Sequence, residues 1–182
     1  MSGRTVYLIL FRGVGGATQL PVKRLREALE EAGFENPGTY INSGNAFLAT
    51  DMPRAQMLER ITRICAREFG FTKDIHVRSL DEWDKLIANN PYPDAVGAPK
   101  LLHAAVLAAA PDEARLDALR AVATDRERIA VVDRVAYLLT PDGFGRLKLA
   151  ARFDKGIGVP NTARNWNTVT SLAQLARAAA ST

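Results

Sequence analysis

Apolar positions along the chain fall into short runs with two distinct periods. Val6 to Phe11 is an unbroken apolar run that stops at Arg12-Gly13, as expected of a strand buried on both faces. Val22, Leu25, Leu29 and Ala32 then recur three or four apart. Pro21 before them and Gly33 after them mark the ends of a helix. Thr39 to Asn42 and Ala46 to Thr50 read as the next two strands, around a hairpin signal at Ser43-Gly44-Asn45. Met57, Leu58, Ile61, Ile64, Cys65 and Phe69 predict one face of a second helix, closed by Gly70, and Asp74 to Arg78 predicts a fourth strand.

The resulting order, β-α-β-β-α-β, is the ferredoxin-like pattern of an α+β fold. Residues 1–79 form this first unit. Residues 80–99 read as a linking helix, Asp81 to Asn89, followed by the loop Asn90-Pro91-Tyr92-Pro93. The pattern restarts over residues 100–182. Leu101 to Ala109 is a strand, Pro111-Asp112 opens a helix with Leu116, Leu119 and Val122 on one face, and Ile129 to Leu139 is a hairpin around Asp133-Arg134. Gly143 to Gly158 has no clear period, and a last helix is expected from about Ala163 to Ala180. The second ferredoxin-like unit therefore reads as incomplete, with a C-terminal helix. The first strand is apolar on both sides, so the units, or two copies of the chain, are expected to cover the sheet faces that helices leave open.

Composition adds bounds rather than an activity. The chain has 182 residues, 47% apolar and 24% charged, proportions that build a packed core. The net charge of +4 is spread without runs, unlike the basic stripe of a dedicated DNA binder. Cys65 is the single cysteine, which excludes an internal disulfide and a cysteine-based zinc site. The N-terminal apolar run is too short for a signal-peptide core or a membrane span. A cytoplasmic location is expected, with no membrane partner, no metal and no cofactor.

Candidate chemistry concentrates in two places. In a ferredoxin-like unit the loop after the first strand, the hairpin after the second and the Gly70-Phe71-Thr72 turn share one end of the sheet. Arg12, Gly13, Gly15 and Gly16 are thereby brought toward Asn42, Ser43 and Asn45. Glycines between a strand and a helix N-terminus free backbone N–H groups for an anion, or else merely permit a tight loop. No P-loop or dinucleotide fingerprint is present. The second place is Thr162 to Thr168, where Arg164, Asn165 and Trp166 fall at the expected start of the last helix. They form either a polar pocket or a helix cap with a core tryptophan. Cys65 lies on a helix's core face. His76 alternates outward on its strand, and His103 sits within an apolar strand. The two are too far apart in sequence to make a nucleophile–base pair, and no catalytic residue emerges.

Leu10-Phe11-Arg12-Gly13 with Gly15-Gly16, Gly33-Phe34, Thr39 to Asn45, Asn90-Pro91 and Thr162 to Thr168 together carry a family resemblance. The chain resembles, over essentially its whole length, the bacterial family catalogued as domain of unknown function 1697. The resemblance implies duplicated ferredoxin-like α+β units and no established activity, so no catalytic residue is carried over. That family's first loop usually reads R-G-I-N-V-G-G-K-N. Here the loop is two residues shorter and lacks the lysine.

The function expected on these grounds is binding of a small anionic ligand, a nucleotide or phosphate-like group, at the loop edge of the first unit. Whether a reaction follows is open. The alternatives are a non-catalytic interaction protein, including a homodimer, and a nucleic-acid binder in which Tyr7 on the first strand stacks a base.

Overall fold

The computed structural model describes residues 3–144 and 148–181. The chain divides into two units. One comprises residues through Asp84 together with the stretch from Ser171 onward, and the other spans Lys85–Thr170.

The first unit contains β1 (Thr5–Phe11), α1 (Val22–Glu31), β2 (Glu35–Thr39), β3 (Asn45–Thr50), α2 (Arg54–Phe69) and β4 (Ile75–Ser79). Its sheet has the order β2-β3-β1-β4, with every neighbouring pair antiparallel. Because β1 and β2 both run against β3, they are parallel to each other, and α1 makes the crossover between them. The alternation of β1 divides its side chains between two faces. Tyr7, Ile9 and Phe11 pack with Leu25, Leu29, Met57, Ile61 and Cys65 from the helices. Leu8 and Leu10, on the opposite face, are also fully buried.

One strand's placement and one side chain's orientation differ from the sequence pattern, for identifiable reasons. The second strand is Glu35–Thr39, earlier than the expected Thr39 to Asn42. Its sequence, ENPGT, looks like a loop, but β2 is an edge strand, where proline and glycine are tolerated. The register shifts between Glu35 and Gly38, with Asn36 in the left-handed region, and the Phe47 ring fills the place where a Gly38 side chain would stand. The residues expected to continue this strand instead turn, with Ile41 at φ 49°. His76, expected to point outward, is 6% exposed, because the sheet face it shares with Leu8 and Leu10 is covered.

A capping box closes the first unit's last strand onto α3 (Leu80–Ala88). The Glu82 N–H donates to Ser79 Oγ at 3.2 Å, and the Ser79 N–H donates to Glu82 Oε2 at 2.7 Å. Arg54 holds the same carboxylate through two hydrogen bonds, at 3.0 and 2.7 Å. Burial alone would raise the Glu82 carboxyl, but Arg54 and the Ser79 amide outweigh it and hold the group below the usual carboxylate range.

The second unit contains β5 (Leu102–Leu107), α4 (Glu113–Val122), β6 (Arg128–Val132), β7 (Val135–Leu139), α5 (Lys148–Gly156) and β8 (Asn161–Asn165), preceded by a 3-10 turn at Pro93–Gly97. Its sheet order, β6-β7-β5-β8, repeats that of the first unit position for position. The expectation of an incomplete repeat is therefore corrected: all four strands and both helices are present. The final strand escaped notice because Asn161–Asn165 is a polar edge strand with one apolar residue, Ala163, and so no period. The last helix, α6 (Trp166–Ala180), consequently starts later than expected. Asp133 and Arg134, both at positive φ, form the tight β6–β7 hairpin. No helix among the described residues is long and apolar enough to cross a membrane.

Candidate functional site

The loop edge of the first unit assembles three segments. The Phe11 N–H donates to Gly44 O at 2.8 Å, which ties the hairpin to the end of β1. The Arg12 N–H donates to Asp74 O at 3.0 Å, which ties the turn before β4 to the start of the glycine loop. Within the loop, Gly15 and Thr18 exchange two backbone hydrogen bonds, at 2.8 and 3.0 Å, and Gln19 Nε2 donates to Gly16 O. These bonds give Gly13 to Thr18 a defined shape.

Lys73 sits on this loop. Its Nζ donates to Gly13 O and to Thr18 Oγ1, each at 3.0 Å. The sequence drew no attention to Lys73, although it lies just beyond the Gly70-Phe71-Thr72 turn that the fold pattern brought to this edge. The lysine that the first loop lacks in its own sequence thus has a counterpart that reaches the loop from another segment. Among the described residues, the N–H groups of Gly13, Val14, Gly16 and Ala17 donate to no protein acceptor. Helix α1 follows directly. Its N-terminus has no side-chain cap and no acidic residue in the first turn, so its partial positive charge is not offset locally.

The other expected residues of this edge divide by role. Arg12 is half-buried and Asn42 is exposed at the hairpin tip. Ser43 and Asn45 face inward: Asn45 is 2% exposed, and its amide donates to Tyr40 O and Ser43 Oγ. The Asn45 side chain therefore shapes the hairpin and presents no free face to a ligand. Gly44 packs against Phe11 and Val14.

The second cluster belongs to the other unit and is not helical as expected. Arg164 and Asn165 lie on β8, and only Trp166 opens α6. Arg164 donates to Thr162 Oγ1 at 2.7 Å and to Ala163 O at 2.8 Å, and burial lowers its guanidinium to about 10, still charged at neutral pH. Asn165 Oδ1 accepts from the Thr168 N–H and caps α6. Trp166 is 4% exposed and its backbone N–H donates to Pro99 O, which is the anchoring role. Cys65 is fully buried, and burial pushes its thiol up to about 12, so it is unreactive. Tyr7 lies in the helix-side core with Arg54 over its ring at 5.5 Å, leaving no ring face for a base. No cluster of metal-ligating side chains occurs among the described residues.

Residues 4–137 match the model of a family described as Protein of unknown function (DUF1697). The chain belongs to DUF1697. This DUF1697 protein is also similar to a solved structure, the conserved bacterial protein SP0830 from Streptococcus pneumoniae. The TM-score is 0.72 at 22% identity, covering 96% of this chain and 99% of that one. At that identity the likeness concerns the fold. No curated protein sequence matches the chain.

Proposed function

We propose that this DUF1697 protein binds a small anion, a nucleotide or other phosphate-bearing group, at the loop edge of its first unit. The observation that carries the proposal is Lys73 on the glycine loop: a cation fixed on a loop that has four backbone N–H groups without an acceptor among the described residues. An uncapped helix N-terminus follows the same loop, and backbone amides with a helix dipole and a cation are what phosphate oxygens require. Arg12 and Asn42 stand at the rim as additional donors, and Asn45 holds the hairpin in register. The proposal includes a ferredoxin-like architecture for both units, whose strand orders support it, and a bacterial cytoplasmic setting, which suits a single buried thiol.

Titration calorimetry with pyrophosphate and ATP tests this reading. Lys73→Ala is expected to weaken binding by about tenfold or more, the usual effect of losing a charge-assisted hydrogen bond, with little change in thermal midpoint because Lys73 is exposed. Equal affinities for the wild type and Lys73→Ala would remove the loop from the site.

A further inference from the structure

The helix face of the first unit carries a second charged feature, separate from the loop edge. A groove of about 570 Å³ borders α1 and α2, with Ala28, Ala32 and Ile64 as its apolar lining. Arg60, Arg63 and Arg67 of α2 also line it. Their spacing places them roughly 4.5 and 6 Å apart along the helix axis, so they form one stripe.

These arginines have little local use for their charge. Arg60 lies over the Phe34 ring at 5.8 Å and has no carboxylate at ion-pair distance among the described residues. Arg63 meets Glu59 at 3.6 Å, but both side chains are largely exposed, and Arg67 meets its sequence neighbour Glu68 at 3.1 Å. An exposed pair such as Arg63–Glu59 contributes little and is readily exchanged. The acid of the groove, Glu31, is occupied by Arg24 at 2.8 Å, and Arg24 also takes Glu68 at 3.0 Å.

We propose that this groove docks an acidic amphipathic segment of a protein partner, with carboxylates one helical turn apart on Arg60, Arg63 and Arg67 and a small apolar side chain on Ala28, Ala32 and Ile64. Arginine's planar fork matches carboxylates, and the small apolar floor matches a side chain rather than a sugar. A nucleic acid fits less well. Phe34, 5% exposed beneath Arg60, offers no face for stacking a base.

Fluorescence anisotropy decides the matter with three labelled probes at about 50 mM salt. They are a helical peptide of Glu, Leu and Ala with its Glu residues three and four apart, the same peptide with Gln for Glu, and a single-stranded RNA of similar length. The Glu peptide is expected to bind about tenfold tighter than the Gln peptide, and the Arg60→Glu/Arg63→Glu double variant to lose that preference. The variant's thermal midpoint is expected to fall only slightly, because both side chains are exposed and the losses are the Arg63–Glu59 pair and the Arg60 contact with Phe34. Equal binding of the two peptides, no peptide binding, or a preference that survives the double variant each overturns the proposal. RNA binding tighter than the Glu peptide and lost in the variant overturns it in favour of a nucleic-acid surface. Lys73→Ala is expected to bind the Glu peptide normally, so the groove and the loop edge stand or fall separately.

Discussion

Replacing Gly44 by alanine is expected to destabilise the first unit by about 3 kcal/mol. Two costs add at this position. Gly44 has a φ of 77°, where a side chain costs roughly 1 kcal/mol. A Cβ there would also stand 2.7 Å from the Phe11 carbonyl oxygen and 2.8 Å from Val14 Cγ2. The first of these is backbone and cannot rotate away, and overpacking of that kind costs about 1–3 kcal/mol. The effect should be a drop of about 6–12 °C in the midpoint, together with loss of anion binding, because the same contact holds the hairpin against the glycine loop. Gly16→Ala is the control. Gly16 also has a positive φ, 57°, but open space where its Cβ would be. It should lose only about 1 kcal/mol. Equal losses at the two positions would mean that the Gly44 contact with Phe11 is not tight.

The second large effect is a loss of stability in mild acid, centred on His103. This residue lies on the helix-facing side of β5, between Leu138 and Asn165 on the neighbouring strands. Its ring stacks on Phe144 at 4.0 Å, and its Nδ1 is buried without a hydrogen-bond partner among the described residues. Burial pushes it down to about 4. In the unfolded chain a histidine titrates near 6.5, so below that pH the unfolded state binds the proton and the folded state does not. Stability is therefore expected to fall as pH drops from about 6.5 toward 4, by about 2–3 kcal/mol at pH 4.5. Urea denaturation at pH 7 and 4.5 reads this directly. His103→Phe, which keeps the stacking, should remove most of the loss. Glu82 acts in a lower window, since a carboxyl held below its usual range loses its contribution only as pH falls below about 4.5. A His103→Phe protein as acid-sensitive as the wild type would place the loss elsewhere.

Much of the fold was legible because its central strands and helices have clear periods. β1, β3 and β5 are built on apolar runs, and the faces of α1, α2 and α4 repeat at helical spacing. Two of the edge strands, β2 and β8, were not legible, for one shared physical reason. An edge strand pairs on one side only, so ENPGT in β2 and NTARN in β8 survive there with proline, glycine and polar residues that would weaken a central strand. Missing β8 carried Arg164 into a helix where it does not lie, and made a complete repeat look broken.

The candidate edge was legible in part. The topology correctly brought the glycine loop, the hairpin and the Gly70 turn to one end of the sheet, as the Phe11–Gly44 and Arg12–Asp74 bonds record. Which polar side chains face outward was not legible. Asn45 looked like a ligand donor and is committed to the hairpin, whereas Lys73 looked like ordinary surface charge and sits on the loop. The Lys73 contact joins segments about 60 residues apart, which no local pattern encodes, whereas Asn45 is tied up within its own hairpin.

The central claim is that the unused backbone N–H groups of the glycine loop receive an anion. The most direct test is an amide chemical-shift titration of the labelled protein with pyrophosphate. The amides of Gly13, Val14, Gly16 and Ala17 are expected to shift together and saturate, with the N-terminal residues of α1 following and the amides of β6 and β7 unmoved. Saturable shifts that leave those four amides in place, or no saturable shift anywhere, would contradict the claim.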